Sequence, residues 1–152
     1  MTTRIEPRTN LEPANAEFED LVRTSFGRQG LMQTIGARLA AVEPGFVVIE
    51  VPFSTGISQQ HGLFHGGVIG TIADNAGGYA ALSLMPKGSE VLTIEYKINF
   101  MRPAKGDLLR ATGQVLRAGK SVSVVRAEVV CVANAASTCC AIMQATMIRA
   151  QG

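Results

Sequence analysis

The chain has 152 residues and a mass of 16.1 kDa, which fits one domain with room for a sizeable core. A net charge of +2, a pI near 8.6, no Trp and only 5% aromatic residues exclude the clustered basic face and stacking platform of a nucleic-acid binder. Hydrophobic residues make up 47% of the chain and charged ones 17%, which predicts apolar surface buried between the subunits of a homo-oligomer.

Residues 1–14 hold Pro7, Pro13 and scattered charges without periodicity, and predict a flexible arm ahead of a single domain over 15–152. Glu6 and Glu12 interrupt the arm and it has no apolar centre, so it reads as neither a secretory signal nor a transit peptide, and a cytoplasmic location is expected. Phe18, Leu21, Val22 and Phe26 then recur at helical spacing, with Glu19 and Asp20 in the first turn and Gly27 near the end. Segments 31–42 and 46–53 flank Glu43-Pro44-Gly45 and predict a β-hairpin. A loop over 54–64 follows.

The next segment, Gly66 to Leu84, predicts a long helix stopped by Met85-Pro86-Lys87-Gly88. Gly67, Gly70, Thr71, Asp74, Gly77, Gly78 and Ala81 fall on one face, and that face is almost bare of side chains. Ile69, Ile72, Ala73, Ala76 and Ala80 repeat at three and four and form an apolar, buried face. A glycine inside a helix costs about 1 kcal/mol relative to alanine, so Gly70, Gly77 and Gly78 imply close approach of another backbone or of a ligand. Asp74 is the single formal charge between Glu50 and Lys87. The first N–H groups of a helix lack internal partners and suit a developing anion, and Gly66 and Gly67 would let a carbonyl come close to them. An oxyanion donor and a carboxylate two turns along are the parts a hydrolysis needs. The same carboxylate could instead cap a loop or pair across an interface, and spacing alone leaves both readings open.

Leu92, Ile94, Tyr96, Ile98 and Phe100 alternate with Thr93, Glu95, Lys97 and Asn99, which predicts a strand with one buried and one polar face. Leu109, Ala111, Gly113 and Val115 predict the next strand, and Ala118-Gly119 turns the chain into a further one over 121–132. A last strand is expected over 138–148. The uncharged run from Val129 to Ile148 is not a membrane span, because Asn134, Ala135, Ala136 and Ser137 divide it and its polar side chains would be unpaired in lipid. Cys131, Cys139 and Cys140 have neither zinc-site nor disulfide spacing and read as small buried hydrophobes. No metal or cofactor is expected. The resulting class is α+β, a long apolar helix wrapped by a curved antiparallel sheet, with a short N-terminal helix and edge strands that a two-fold axis could pair.

The motif Gln59, Gly62, His65-Gly66-Gly67 and Asp74, nine positions after the histidine, resembles that of the hotdog-fold acyl-CoA thioesterases of the phenylacetate-degradation (PaaI-like) type. The segment from Thr93 to Ala104 resembles that family's third strand. The resemblance implies a hotdog fold, an acyl-CoA substrate and a homodimer, usually within a tetramer, whose sites take the helix start from one subunit and the acid from the other. It implies that the Gly66 N–H polarises the thioester carbonyl, that Asp74 is the nucleophile or the base activating water, and that Gln59 holds water or substrate. Thr93 matches a position where the family often has a hydroxyl near the acid. The family commonly has Asn where this chain has Gln59.

Around this core, Gly62, Gly67, Leu63 and Phe64 are candidates for the substrate channel, with Tyr79 and Leu82 as further wall residues. Arg117, Lys120 and Arg126, around the Ala118-Gly119 turn, are candidates for the phosphates of coenzyme A, although a solvated hairpin tip would look the same. His65 reads as a residue that fixes the loop to the helix rather than as an acid or base, and His61 as a loop residue. A serine hydrolase lacks its Gly-x-Ser-x-Gly turn, and a metal hydrolase lacks its ligand cluster. A hydratase or dehydratase of the same fold would pair His with Asp, but His65 and Asp74 are about 13 Å apart along one helix. A non-catalytic acyl-CoA-binding module has little use for a carboxylate facing an anionic ligand.

Overall fold

A computed structural model of the chain describes Glu6 and residues 10–151. Most of the expected arm, residues 1–5 and 7–9, therefore lies outside the described residues. Within its described part, Leu11 packs against the core and the Ala14 N–H donates to the Leu84 carbonyl at 3.4 Å. Helices α1 (Phe18–Gly27) and α2 (Gly30–Thr34) precede the hairpin of β1 (Arg38–Glu43) and β2 (Phe46–Pro52). A short 3-10 turn, Thr55–Ile57, leads to the central helix α3 (Gly66–Leu82). Four strands follow: β3 (Ser89–Phe100), β4 (Leu108–Ala118), β5 (Val122–Ala133) and β6 (Ala136–Gln151). They form one antiparallel sheet in the order β1-β2-β4-β5-β6-β3, curved around α3, which is the expected α+β hotdog arrangement.

The core follows from alternation on the strands. Val47, Ile49 and Val51 of β2, Leu109, Ala111 and Val115 of β4, Val125, Ala127 and Val129 of β5, and Met143, Ala145 and Met147 of β6 are all buried facing α3. Ile69, Ile72, Ala73, Ala76 and Ala80 of α3 meet them, as their spacing predicts. The tightest contact is between backbones. A Cβ on Gly113 would lie 2.2 Å from the carbonyl of Ala76, and one on Gly77 would lie 2.8 Å from Val125 Cγ2. At the far end of α3, Ser83 is buried, accepts from the Gly45 N–H at 2.7 Å and donates to the Ala80 carbonyl, which ties the helix end to the β1–β2 turn.

Three expectations about elements need correction. The segment predicted as a strand over 31–42 begins with a helical turn, and extended structure starts only at Arg38, after Gly36 at φ +70° redirects the backbone. The last strand is longer than 138–148, because a two-residue turn at Asn134 and Ala135, both at positive φ, lets β5 run straight into β6 at Ala136. The third correction concerns β3, whose strict alternation is broken by a bulge at Ile94, between Thr93 and Glu95.

Residues opposite one another on paired strands share a face. Thr93 stands opposite core-facing Met147, while Tyr96, Ile98 and Phe100 stand opposite Ala145, Met143 and Ala141. The bulge therefore places Thr93 on the helix side, together with the aromatic residues rather than with Glu95 and Lys97. Much of the apolar surface of β3 is not covered within the chain either: Leu92, Ile94, Tyr96 and Phe100 are 59%, 55%, 47% and 55% exposed. β3 ends the sheet, so one side of its backbone is also unpaired.

The run from 129 to 148 is a β5–β6 hairpin, and no helix among the described residues is long and apolar enough to cross a membrane. Cys131, Cys139 and Cys140 are free and buried, and burial pushes the Cys140 thiol up to about 12. Because the β4 contact reaches the helix backbone itself, Gly113→Ala is expected to cost at least about 3 kcal/mol, the upper range for overpacked cores, read from the midpoint of urea unfolding.

Candidate active site

Two regions of α3 carry the residues singled out by the sequence. At its N-terminus, His65 is the N-cap, and its Nδ1 accepts from the Gly67 N–H at 2.9 Å. The ring proton then belongs on Nε2. The carbonyl of His65 accepts from Val68 and Ile69. Among the described residues the Gly66 N–H has no such partner, so the cap consumes one donor of the first turn and leaves the neighbouring one open. A Cβ on Gly66 would lie 3.4 Å from the Phe100 ring, and one on Gly70 would lie 3.9 Å from the Tyr96 hydroxyl. The side-chain-poor face of α3 is thus the bed on which the β3 aromatics lie.

The loop ahead of the helix is held by its own backbone. Gln59 and Gly62 close a turn, Gly62 sits at φ +72°, the Gln59 N–H donates to the Leu63 carbonyl, and the Phe64 N–H donates to Ala104. The Gln59 Oε1 accepts from the His61 N–H, so this carboxamide is turned onto its own loop. Phe64 is buried and meets the Phe53 ring edge-on at a centroid distance of 5.1 Å. Leu82 is also fully buried in the core. Neither side chain lines the open cleft described next.

Two turns further on, Asp74 is half-buried beside a cleft of about 350 Å³, within the usual range for small-molecule sites. Asp74, Asn75, Gly78 and Tyr79 of α3 form one wall and residues 90–93 of β3 the other. Thr93 Oγ1 donates to Asp74 Oδ1 at 2.8 Å, a contact made possible by the bulge at Ile94. Burial pushes the Asp74 carboxyl above the ordinary aspartate range, and the Thr93 hydrogen bond works against that rise. A carboxylate so placed is a stronger base than a solvated one.

Of the expected site residues, the structure brings together Asp74, Thr93 and Tyr79 in the cleft. It places Gln59, Gly62, Leu63, Phe64, His65, Gly66 and Gly67 in or beside the helix start. Gly66 and Asp74 are eight residues apart, about 12 Å along the axis, so within one chain they cannot reach the same carbonyl. Arg117 and Lys120 are exposed at the β4–β5 tip, and the Arg126 guanidinium lies 3.5 Å from Glu128. Ser25, Gln29, Asn75 and Glu90 also line the cleft. No sequence signal marks the first two, because the end of α1 and its link to α2 reach the site only through the tertiary fold.

Capping by His65 makes a separable prediction. His65→Ala is expected to lower stability by about 1 kcal/mol, and His65→Asn, whose side-chain oxygen can accept the same N–H, to restore most of it, both read by chemical denaturation.

Comparison with known proteins agrees with this geometry. Residues 61–136, half of the chain, match the family model described as Thioesterase superfamily. A 1,4-dihydroxy-2-naphthoyl-CoA hydrolase from Listeria monocytogenes is 30% identical over 95 residues, covering 62% of this chain and 77% of that protein. The acyl-coenzyme A thioesterase PaaI from Escherichia coli is 31% identical over 99 residues, 64% of this chain and 69% of the relative. A solved structure of a thioesterase family protein from Silicibacter pomeroyi superposes with a TM-score of 0.87 at 37% identity, covering 89% of this chain and 99% of that one. With its central helix, wrapped sheet and His-Gly-Gly helix start, the chain belongs to the thioesterase superfamily, as a hotdog-fold thioester hydrolase of the PaaI-like type.

Proposed function

We propose that the protein hydrolyses an acyl- or aryl-acyl-CoA to the free acid and coenzyme A, with Asp74 as the reacting carboxylate and the Gly66 N–H as the oxyanion donor. The observation that carries this reading is the half-buried Asp74, held by Thr93 in a cleft and kept above its ordinary pKa. The helix start supports it from the other end, since His65 occupies the Gly67 N–H and leaves that of Gly66 for a ligand.

The 12 Å between these groups along α3 favours a site shared by two copies, Gly66 of one and Asp74 of the other. The open edge of β3 and its exposed Leu92, Ile94, Tyr96 and Phe100 supply a surface for that pairing. Tetramer formation would follow from a second interface, and the buried free thiols suit a reducing compartment such as the cytoplasm.

The chemistry balances without a cofactor. The carboxylate either attacks the carbonyl carbon or removes a proton from a water that does so. Negative charge gathers on the carbonyl oxygen, facing the Gly66 N–H and the positive end of the helix dipole. The C–S bond then breaks, and coenzyme A leaves as thiolate and takes up a proton. On the direct-attack route water next cleaves the mixed anhydride formed with Asp74, which frees the acid and restores the carboxylate; on the base route the attacking water supplies the hydroxyl of the acid. A thiolate is a good leaving group, so one base and one oxyanion donor suffice. Arg117 and Lys120 are the exposed cations proposed for the phosphates, with Arg126 as a third once released from Glu128. Gln59 would hold water or substrate after turning away from His61.

The decisive experiment follows thioester absorbance directly for wild type and Asp74→Asn with benzoyl-, phenylacetyl-, hexanoyl- and palmitoyl-CoA. Turnover in the wild type and a loss of about 10²–10⁴-fold in the variant are expected. Tight binding without turnover in the wild type would overturn the reading. Folding gives an independent check. A carboxyl whose folded pKa is raised loses stability as pH climbs from the unfolded value through the folded one. Asp74→Asn is therefore expected to be at least as stable as wild type at pH 7, with the difference closing in acid, as thermal unfolding at several pH values would read.

Gly66→Pro tests the donor. Proline suits the first helical position, and His65 at ψ 135° has the extended backbone that a following proline requires. The N–H is removed while the helix ladder is kept, so a rate loss of about 10²–10³-fold with little change in stability is expected. Gly66→Ala, which adds a Cβ but keeps the N–H, is expected to lose less.

A further inference from the structure

Helix α1 has no part in the chemistry above, yet it closes one end of the cleft. Val22 and Phe26 anchor it in the core, and the Phe26 ring meets the Tyr79 ring edge-on at 5.9 Å. That docking brings Gln29 Nε2 to donate to the Tyr79 hydroxyl at 2.7 Å and sets Ser25 Oγ 3.2 Å from the same oxygen. All three residues line the cleft that also holds Asp74. Tyr79 lies five residues beyond Asp74, about 7.5 Å along the axis, and the bare Cα of Gly78 lies between them.

The hydrogen-bond count of this cluster leaves capacity for a ligand. One bond between Ser25 and Tyr79 uses one hydroxyl hydrogen, and the other hydroxyl hydrogen remains free. Gln29 keeps its carbonyl oxygen and a second N–H. The charge around the cluster is not cationic. Glu90 lines the same cleft, and its nearest cation, Arg28, is 3.9 Å away on an exposed side chain. The charged residues that line the cleft, Asp74 and Glu90, are both acidic, so a neutral hydroxyl or carbonyl is welcome here, whereas a terminal carboxylate would be repelled by them and would have to compete with Glu90 for Arg28, which lies outside the lining.

We propose that the C-terminal end of α1 and its link to α2 form the specificity element of the enzyme: Ser25, Gln29 and the Tyr79 hydroxyl make a polar end wall that selects short acyl groups ending in a neutral hydrogen-bonding group over plain alkyl or aryl groups of equal length. This rests on the thioesterase reading of Asp74. It assigns a role to two residues more than forty positions upstream of the acid in sequence.

The test compares kcat/KM for hexanoyl-, 6-hydroxyhexanoyl- and adipoyl-CoA, and for phenylacetyl- and 4-hydroxyphenylacetyl-CoA, in wild type, Gln29→Leu and Tyr79→Phe. The wild type is expected to favour each hydroxylated substrate over its plain counterpart by about fivefold to tenfold, the return of one neutral hydrogen bond, and to disfavour adipoyl-CoA. Both variants are expected to bring the hydroxyl ratio close to one, a change that a general loss of packing would not produce because it cancels in the ratio. Tyr79→Phe keeps the ring against Phe26, so folding survives the removal of the hydroxyl. Equal rates for the pairs in wild type, a ratio unmoved in both variants, or a preference for adipoyl-CoA would each overturn the proposal. Affinities of the corresponding non-hydrolysable thioether analogues separate it from the reading beneath it. The same preference in binding with no hydrolysis of any thioester supports the end wall and overturns the hydrolase assignment; turnover without preference overturns the end wall and leaves the hydrolase standing.

Discussion

The meeting of α3 and β4 at bare backbone is the constraint on which the molecule is built. With no Cβ on Gly113 the sheet closes on Ala76, and with none on Gly77 it closes on Val125 as well. Such contact holds the axis of α3 near the inner face of the sheet, so the strands can curve around a helix made largely of alanine and glycine. A helix of that composition has little intrinsic stability, and packing on the sheet supplies what propensity does not. The same thinness on its other side gives room to Phe100 over Gly66, to Tyr96 near Gly70 and to the cleft over Gly78. One run of small residues thus serves both the core and the site.

Asp74 stands at the boundary between these two uses. Its neighbours Ala73 and Ala76 are in the core, while its own carboxyl reaches the cleft and is held by one hydroxyl. Desolvation without a cationic partner disfavours the charge, and this is the condition in which a carboxylate gains basicity at neutral pH. Thr93 orients the group without neutralising it. A lysine or arginine there would pair with the carboxylate and cancel the rise in its pKa.

Much of this was legible in the residues. Spacing alone marks α3, its buried face and Asp74, because a 3.6-residue period over 17 residues is a strong signal. The hairpin turns at Gly45 and Ala118-Gly119 carry their own chemistry. His65 reads from its position as fixing the loop to the helix, and its ring accepts from the Gly67 N–H at the helix start. What could not be read belongs to long-range packing. Alternation on β3 suggests a plain two-faced strand, and nothing local announces the bulge at Ile94 that turns Thr93 toward Asp74. The pairing of Gln29 and Ser25 with Tyr79 spans 50 and 54 positions, and no local pattern encodes a contact of that separation. The short α2 was masked by apolar residues that suit a strand equally well.

The open edge of β3 also bears on how the chain survives its own synthesis. A newly folded chain displays a row of unpaired amides beside Leu92, Tyr96 and Phe100, which is a template for any extended segment it meets. Two features limit that hazard. The kink at Ile94 interrupts the flat register that mispairing needs, and Lys97 with Glu95 sets charge along the strand. The irregularity that aims a hydroxyl at the acid thus also acts as a gatekeeper against aggregation, so straightening β3 would endanger solubility as well as the site.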